Sequence, residues 1–329
     1  MISELAQRLA PQIDPRIYRG VRAGMLPVDL ALSLGAKRSW PLYRLWHRYS
    51  VATARYFDRV APSVDAPEDQ TALSALRTQG FAPAGRYPES DVRAAREWVL
   101  ERTRPIEESA EPGRDAVIKK GRTVFLLDRR TARTRMMLDV SDPERHTWPQ
   151  LVKEWIDTPS FHATVQAYFQ TRSVLAAQPY FMAEVLRRGP DIERWHIDCL
   201  RPQVKAFVYL TDVGPDNGPL RAQPRTQGID ERRHRVFYDI CRSGLSRAYF
   251  SEQENARLDS TATPVLGPAG TAVLVDTQVI HASSYCNEGM RVVLVNGYRP
   301  ATALRLNPRL FRDPYPLPNL WEEPTPSRR

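Results

Sequence analysis

The segment from residue 203 to residue 212 constrains the fold of this chain more than any other. Side chains alternate along it in the way that predicts a strand with two different faces. One face carries Val204, Ala206, Val208 and Leu210, and the other carries Lys205, Phe207, Tyr209 and Thr211. Helical patterns precede this segment and further strand patterns surround it. That order predicts an α+β protein whose core is a β-barrel or sandwich.

The chain divides into three parts by pattern and composition. Residues 1–67 are predicted to form a helical N-terminal extension that ends in a proline-containing linker. Residues 68–300 form the main domain, interrupted by an arginine-rich insertion over residues 228–262 that shows little strand pattern. Residues 301–329 are a proline-rich tail that we expect to follow the surface.

Within the N-terminal extension, residues 40–60 place apolar side chains at spacings of three and four, as on one face of a helix. Such a helix either packs on the main domain or lies at an interface, which would be a membrane surface or a second subunit. Further along, Ser90 is a candidate cap for the next helix, and residues 105–121 are expected to form a loop.

The composition is that of a soluble globular protein, with 42% hydrophobic and 26% charged residues. The net charge of +9 is compatible with a nucleic acid, an acidic lipid or an anionic small substrate as partner. Scattered arginines and the lack of a nucleic-acid module argue against a nucleic acid. The 3 cysteines show no metal spacing, and the sequence shows neither a signal peptide nor a membrane span, so we expect a cytoplasmic location.

A His-x-Asp pair at His196 and Asp198 is the first chemical signal. On an extended chain both side chains leave the same face, so an imidazole and a carboxylate can reach a common point. His281, which follows a strand-like run, offers a second imidazole. Two imidazoles and a carboxylate form the facial triad of non-haem Fe(II) oxygenases. This function depends on whether the three residues meet.

The chain resembles the phytanoyl-CoA dioxygenase family of Fe(II)- and 2-oxoglutarate-dependent oxygenases over about residues 75–300. The matching segments are WHID at 195–198, VYLTDV at 208–213, NGPL at 217–220, GTAVLVD at 270–276, HAS at 281–283, and Arg291. The resemblance implies a double-stranded β-helix, or jelly-roll, core with helices packed outside. It also implies Fe(II), 2-oxoglutarate and O2 as cofactor and co-substrates.

The resemblance assigns roles to individual residues. His196, Asp198 and His281 would bind the iron. Arg291 would pair with the distal carboxylate of 2-oxoglutarate, for which a planar guanidinium is well suited. The other candidates for co-substrate binding are Ser283, Tyr209 and Gln178. His47, His146, His162 and His234 are not assigned to the site.

Asp198 favours hydroxylation over halogenation, since related halogenases lack this carboxylate. We expect a hydroxylase acting on a small or carrier-bound metabolite, with release of succinate and CO2. Desaturation, cyclisation and epimerisation begin with the same hydrogen abstraction and stay open. So do a lipid-linked substrate at a membrane surface and a non-catalytic barrel. Arginines near the expected barrel mouth would either capture an anionic substrate or form a solvated rim: Arg187, Arg188, Arg194, Arg201, Arg221 and Arg225.

Overall fold

The computed structural model describes residues 39–42, 44–45, 70–110, 115–128, 131–140, 142–157, 160–169, 174–176, 180–189, 194–198, 203–227, 248–250 and 252–300. The predicted extension over 1–67, apart from six residues, lies outside these ranges, and so does the tail over 301–329. Most of the helix predicted over 40–60 is also outside them. Within the described ranges, no helix combines the length and apolar character that crossing a lipid bilayer requires.

The helices of the described chain precede the barrel strands, with one exception. They are α1 (Gln70–Gln79), α2 (Glu89–Ser109), a short 3₁₀ helix (Pro143–Thr147), α3 (Gln150–Asp157), α4 (His162–Phe169) and α5 (Glu252–Asp259).

The strands before the His-x-Asp motif are β1 (Phe81–Arg86), β2 (Ala116–Lys120), β3 (Thr123–Asp128), β4 (Arg133–Asp139), β5 (Val174–Ala176) and β6 (Tyr180–Arg187). The later strands are β7 (His196–Ile197), β8 (Val204–Tyr209), β9 (Leu220–Ala222), β10 (Ala248–Tyr249), β11 (Thr263–Val265), β12 (Thr271–Asp276), β13 (His281–Ser283) and β14 (Met290–Pro300).

The strands form two antiparallel sheets. The major sheet has the order β1-β12-β8-β14-β6-β4-β3-β2, with β5 paired to β14, and the minor sheet has the order β10-β7-β13-β9-β11. Side chains of both sheets pack into one apolar cluster, for example Tyr209 and Val293 of the major sheet with Ala222 and Val265 of the minor sheet. Successive strands alternate between the two sheets from β6 to β9. This is the double-stranded β-helix that the sequence predicted.

The two faces of β8 are used as its alternation predicted. Val204, Ala206 and Val208 belong to the large core cluster that also contains Trp98 and Val99 of α2. Tyr209, with Phe207 packed against it, belongs to the cluster between the two sheets. Odd-numbered residues of β8 therefore face the barrel interior, and even-numbered residues face the covering helices.

Two local predictions were wrong. Helix α2 begins at Glu89, and the residue before it, Pro88, makes no side-chain cap, so Ser90 is not the cap. The helix also runs through Pro105 to Ser109, where a loop was expected. Its buried face, which includes Val99, Thr103 and Ile106, continues past the point where proline removes a backbone donor. Packing against the major sheet thus outweighs the lost hydrogen bond.

The later part of the predicted insertion belongs to the fold. Strand β10 pairs antiparallel with β7, with Tyr249 opposite His196. Helix α5 follows, and its Asp259 accepts a hydrogen bond of 2.9 Å from the indole of Trp195. Residues 228–247 lie outside the described chain. The described end of the insertion therefore supports the strand that carries the His-x-Asp motif.

Candidate metal centre

His196 and His281 meet because their strands pair in register. Strand β13 runs antiparallel to β7, and His281 lies directly opposite His196. Directly opposite residues project to the same face of a sheet. The ring centroids are 4.4 Å apart, and both side chains are buried. The minor sheet therefore places two imidazoles side by side in the barrel.

Backbone carbonyls orient both imidazole rings. Nδ1 of His196 donates to the carbonyl oxygen of Arg194 at 2.7 Å, and Nδ1 of His281 donates to that of Val279 at 2.8 Å. A carbonyl only accepts, so each ring carries its proton on Nδ1 and presents Nε2 as a lone pair. Nearly all metal-binding histidines have such an outer partner. Burial and the neighbouring His196 lower the pKa of His281 to about 4, which keeps this ring neutral at pH 7.

Asp198 completes the group one residue after β7. Its backbone N–H donates to the carbonyl of Thr277 at 3.3 Å, which ties the turn to the loop before β13. Oδ1 lies 3.4 Å from Nε2 of His196, and Oδ2 lies 3.5 Å from Nε2 of His281. Ligand atoms of the three residues all fall within 4.8 Å of one another. The structure thus brings together the residues that the sequence suggested.

The donor set fits a non-haem iron. Two neutral imidazole nitrogens and one carboxylate oxygen on one side of a metal leave the opposite side open for co-substrate and O2. Burial opposes ionisation of Asp198, but Lys205 and His281 together hold the pKa of its carboxyl well below the usual range. The carboxylate is therefore ionised and ready to bind a cation.

Lys205 is a residue of this centre that the sequence analysis did not single out. It lies on the interior face of β8, and its Nζ is 2.5 Å from Oδ2 of Asp198. The signal was present in the sequence, since a lysine interrupts the apolar pattern of this face. A charge that points into a barrel needs a partner or a function.

A second cluster of charges lies further along the barrel, around Glu184 of β6. Arg291 of β14 donates from Nη2 to Oε1 of Glu184 at 2.8 Å and from Nη1 to the carbonyl of Gly218. Arg135 of β4 donates to Oε2 at 3.2 Å, and Nε of Arg133 lies 3.5 Å from the same oxygen. Although burial opposes ionisation, these three guanidinium groups hold the pKa of Glu184 far below its usual range.

Ser283 belongs to this second cluster. Its hydroxyl accepts a hydrogen bond of 3.0 Å from Nη2 of Arg133. Because Ser283 is two residues after His281 on β13, it connects the cluster to the metal centre. We call the group formed by Arg133, Arg135, Glu184, Ser283 and Arg291 the arginine cluster. Arg133, Arg135 and Glu184 were missed, although each is a charge within a largely apolar strand.

The remaining predicted site residues have different outcomes. Tyr209 faces the barrel interior, but its hydroxyl donates to the carbonyl of Val265 at 2.8 Å, and burial raises its pKa to about 12. It is therefore held as a neutral phenol. Gln178 lies outside the described residues. Of the unassigned histidines, His146 is exposed.

The expected arginine rim is only partly present. Arg187 points to the helices, where it pairs with Glu107 at 2.8 Å. Arg221 pairs with Asp259 and lies over the ring of Trp195. Arg188, Arg194 and Arg225 are exposed, and Arg201 lies outside the described chain.

Comparison with protein families gives one match, to phytanoyl-CoA dioxygenase (PhyH), over residues 76–291. The chain belongs to this family. It is accordingly a non-haem dioxygenase that depends on Fe(II), 2-oxoglutarate and O2. Comparison with curated proteins gave no match.

Several solved structures are similar at low identity. AviO1 from Streptomyces viridochromogenes Tue57 has 17% identity and a TM-score of 0.48, over 72% of this chain and 96% of that chain. The epimerase SnoN, in complex with Fe3+, alpha ketoglutarate and nogalamycin RO, has 11% identity and a TM-score of 0.46, over 70% and 83%. HygX from Streptomyces hygroscopicus, with nickel and 2-oxoglutarate bound, has 16% identity and a TM-score of 0.43, over 70% and 87%.

Proposed function

We propose that this dioxygenase hydroxylates a small or carrier-bound metabolite, with His196, Asp198 and His281 as the iron ligands. The observation that carries the proposal is the convergence of two tautomer-fixed Nε2 atoms and an ionised carboxylate within 4.8 Å. When bound, the iron and 2-oxoglutarate supply the oxidising chemistry, with release of succinate and CO2. The chain's own residues hold and orient both groups and shield them from water.

The arginine cluster supports a role for Arg291 in holding 2-oxoglutarate. Its side chain is buried, and its Nε has no hydrogen-bond partner among the described residues. A buried guanidinium with an unused N–H is suited to take a carboxylate. Ser283 leads from His281 toward Arg291, so a ligand with a 2-oxo acid at one end and a carboxylate at the other would span the two groups.

Asp198 supports hydroxylation as the outcome, because a carboxylate ligand occupies the position that a halide would need. Two interior cations support an anionic substrate. The side chains of Lys205 and Arg135 face the barrel interior and are 24% and 26% exposed. Charged groups that reach both the interior and solvent can attract an anion to the barrel mouth.

The test of the metal centre is an anaerobic titration of the protein with Fe(II) and 2-oxoglutarate. We expect a weak visible metal-to-ligand charge-transfer band in the wild type and none in His196→Ala. The exposed His146 provides the matched control, and His146→Ala should retain the band. Correctly folded wild-type protein without a band would contradict the proposal.

The test of substrate class is succinate formation with paired compounds that differ only in an anionic group, such as a phosphorylated metabolite and its dephosphorylated form. The proposal predicts that the anionic member of a pair stimulates succinate formation more strongly. Equal stimulation, or a preference for neutral members across the panel, would contradict an anionic substrate while leaving the metal centre intact.

A further inference from the structure

Lys205 occupies a place at the metal centre that the proposed function does not use. It projects from β8 into the barrel, opposite Val275 on β12 and Gly297 on β14. Side chains of directly opposite residues are neighbours in a sheet, and glycine has none. The backbone of β14 therefore leaves room beside Lys205 for its long side chain to extend toward Asp198.

The contact between Lys205 and Asp198 is specific for one carboxylate oxygen. Nζ of Lys205 lies 2.5 Å from Oδ2, the oxygen on the side of His281, whereas Oδ1 lies 3.4 Å from Nε2 of His196. An ammonium is a strong charge-assisted donor, and the side chain of Asp198 is only 9% exposed. Water therefore competes little for this ion pair, and the two oxygens of Asp198 have different surroundings.

We propose that Lys205 is a positioning residue that holds Oδ2 of Asp198, so that Asp198 binds the metal through Oδ1 alone. This inference rests on the proposed metal centre. A carboxylate that binds through one oxygen leaves room on an octahedral metal for both donor atoms of a 2-oxo acid and for O2. A carboxylate that binds through both oxygens takes one of those positions.

Removing Lys205 has two effects of opposite sign. The metal loses a neighbouring cation and gains access to Oδ2, so metal affinity rises. At the same time the second carboxylate oxygen competes with the 2-oxo acid for a coordination position, so 2-oxoglutarate affinity falls. A lysine that only supports local packing would not produce this pattern, because its loss would weaken both affinities together.

The experiment uses Co(II), whose visible d–d absorption reports coordination number, and the full chain. Metal and then 2-oxoglutarate are titrated into wild type, Lys205→Met, Lys205→Gln and Lys205→Arg. Lys120→Met, which changes an exposed lysine of β2, is the matched control. Thermal unfolding followed by circular dichroism checks that each variant is folded, and Lys205→Gln replaces Lys205→Met if the latter is not.

For Lys205→Met we expect Co(II) to bind about tenfold more tightly, as the loss of a nearby like charge implies, and 2-oxoglutarate about tenfold more weakly. The d–d spectrum of its Co(II) complex should shift from that of wild type. Lys205→Arg, which keeps the charge and a donor, should restore both affinities toward wild type, and Lys120→Met should equal wild type.

Two results overturn the inference, and they are distinguishable. If wild type binds Co(II) and 2-oxoglutarate but Lys205→Met and Lys205→Gln leave the spectrum and both affinities unchanged, or weaken both affinities, the role of Lys205 is wrong and the metal centre stands. If wild type binds neither Co(II) nor 2-oxoglutarate, the proposed function fails and this inference fails with it.

Discussion

The metal centre and the arginine cluster lie in the same barrel but are built in different ways. The metal centre uses two neutral imidazoles on paired strands of the minor sheet, and backbone carbonyls fix both rings. The arginine cluster uses charged side chains from β4, β6 and β14 of the major sheet, which mainly fix one another around Glu184. Strand register thus determines the geometry of the first, and mutual charge pairing that of the second.

This difference implies different responses to substitution. A backbone carbonyl stays in place when a side chain is changed, so changes at the metal centre should act on metal binding more than on folding. In the arginine cluster each side chain neutralises its neighbours, and removal of one leaves buried charge without compensation. Changes there should therefore act on stability as well as on ligand binding.

The largest effect on stability is expected from Glu184→Gln, which keeps the shape and removes the charge. Three guanidinium groups then lose their common carboxylate, and the free energy of unfolding should fall by about 3 kcal/mol. Urea unfolding of the metal-free protein measures it, with Glu108→Gln on the exposed side of α2 as control. If Glu184→Gln were as stable as wild type, the arginine cluster would not depend on mutual charge pairing.

Arg291→Gln should separate the two regions by ligand. Loss of a buried charge-assisted contact should weaken 2-oxoglutarate binding by about a hundredfold. Metal affinity should change little, because the iron ligands lie on the other sheet. Anaerobic titrations with Fe(II) and with 2-oxoglutarate measure both, and Arg188→Gln at an exposed site is the control. Equal losses of metal and 2-oxoglutarate affinity would show that the regions are not separable.

A smaller effect is expected from pH on the metal-free protein. Because the folded state lowers the pKa of His281 to about 4, the unfolded chain binds a proton below its ordinary pKa of 6.5 that the folded chain does not. Unfolding free energy should therefore fall on acidification, by about 2 kcal/mol between pH 6.5 and pH 5. His281→Gln should flatten this dependence in urea unfolding. A wild-type stability that stays constant over this range would contradict a buried neutral His281.

The same difference explains how much could be predicted from the sequence. The metal centre was predictable because His196 and Asp198 are adjacent in sequence and His281 follows a recognisable strand. Arg291 was also predicted from its place after His281. Glu184 and Arg133 were missed because strand pairing between β4 and β6 brings them together, and single-sequence patterns do not reveal such pairing.

Local errors had a similar origin. Pro105 predicted the end of a helix, and local propensity supports that prediction. The helix continues because Val99, Thr103 and Ile106 bury a continuous face, which is a tertiary effect. Lys205 was read as part of a strand face, since its contact with Asp198 depends on how far the barrel brings β8 toward the end of β7.

The central claim is that the metal centre and the arginine cluster hold the two ends of one 2-oxoglutarate molecule. Calorimetric titration with 2-oxoglutarate, with and without Mn(II), in wild type and Arg291→Gln, tests it most directly. The account predicts that Mn(II) strengthens binding in wild type and that Arg291→Gln weakens binding to the Mn(II)-loaded protein. A 2-oxoglutarate affinity that is independent of the metal, or unaffected by Arg291→Gln, would contradict it.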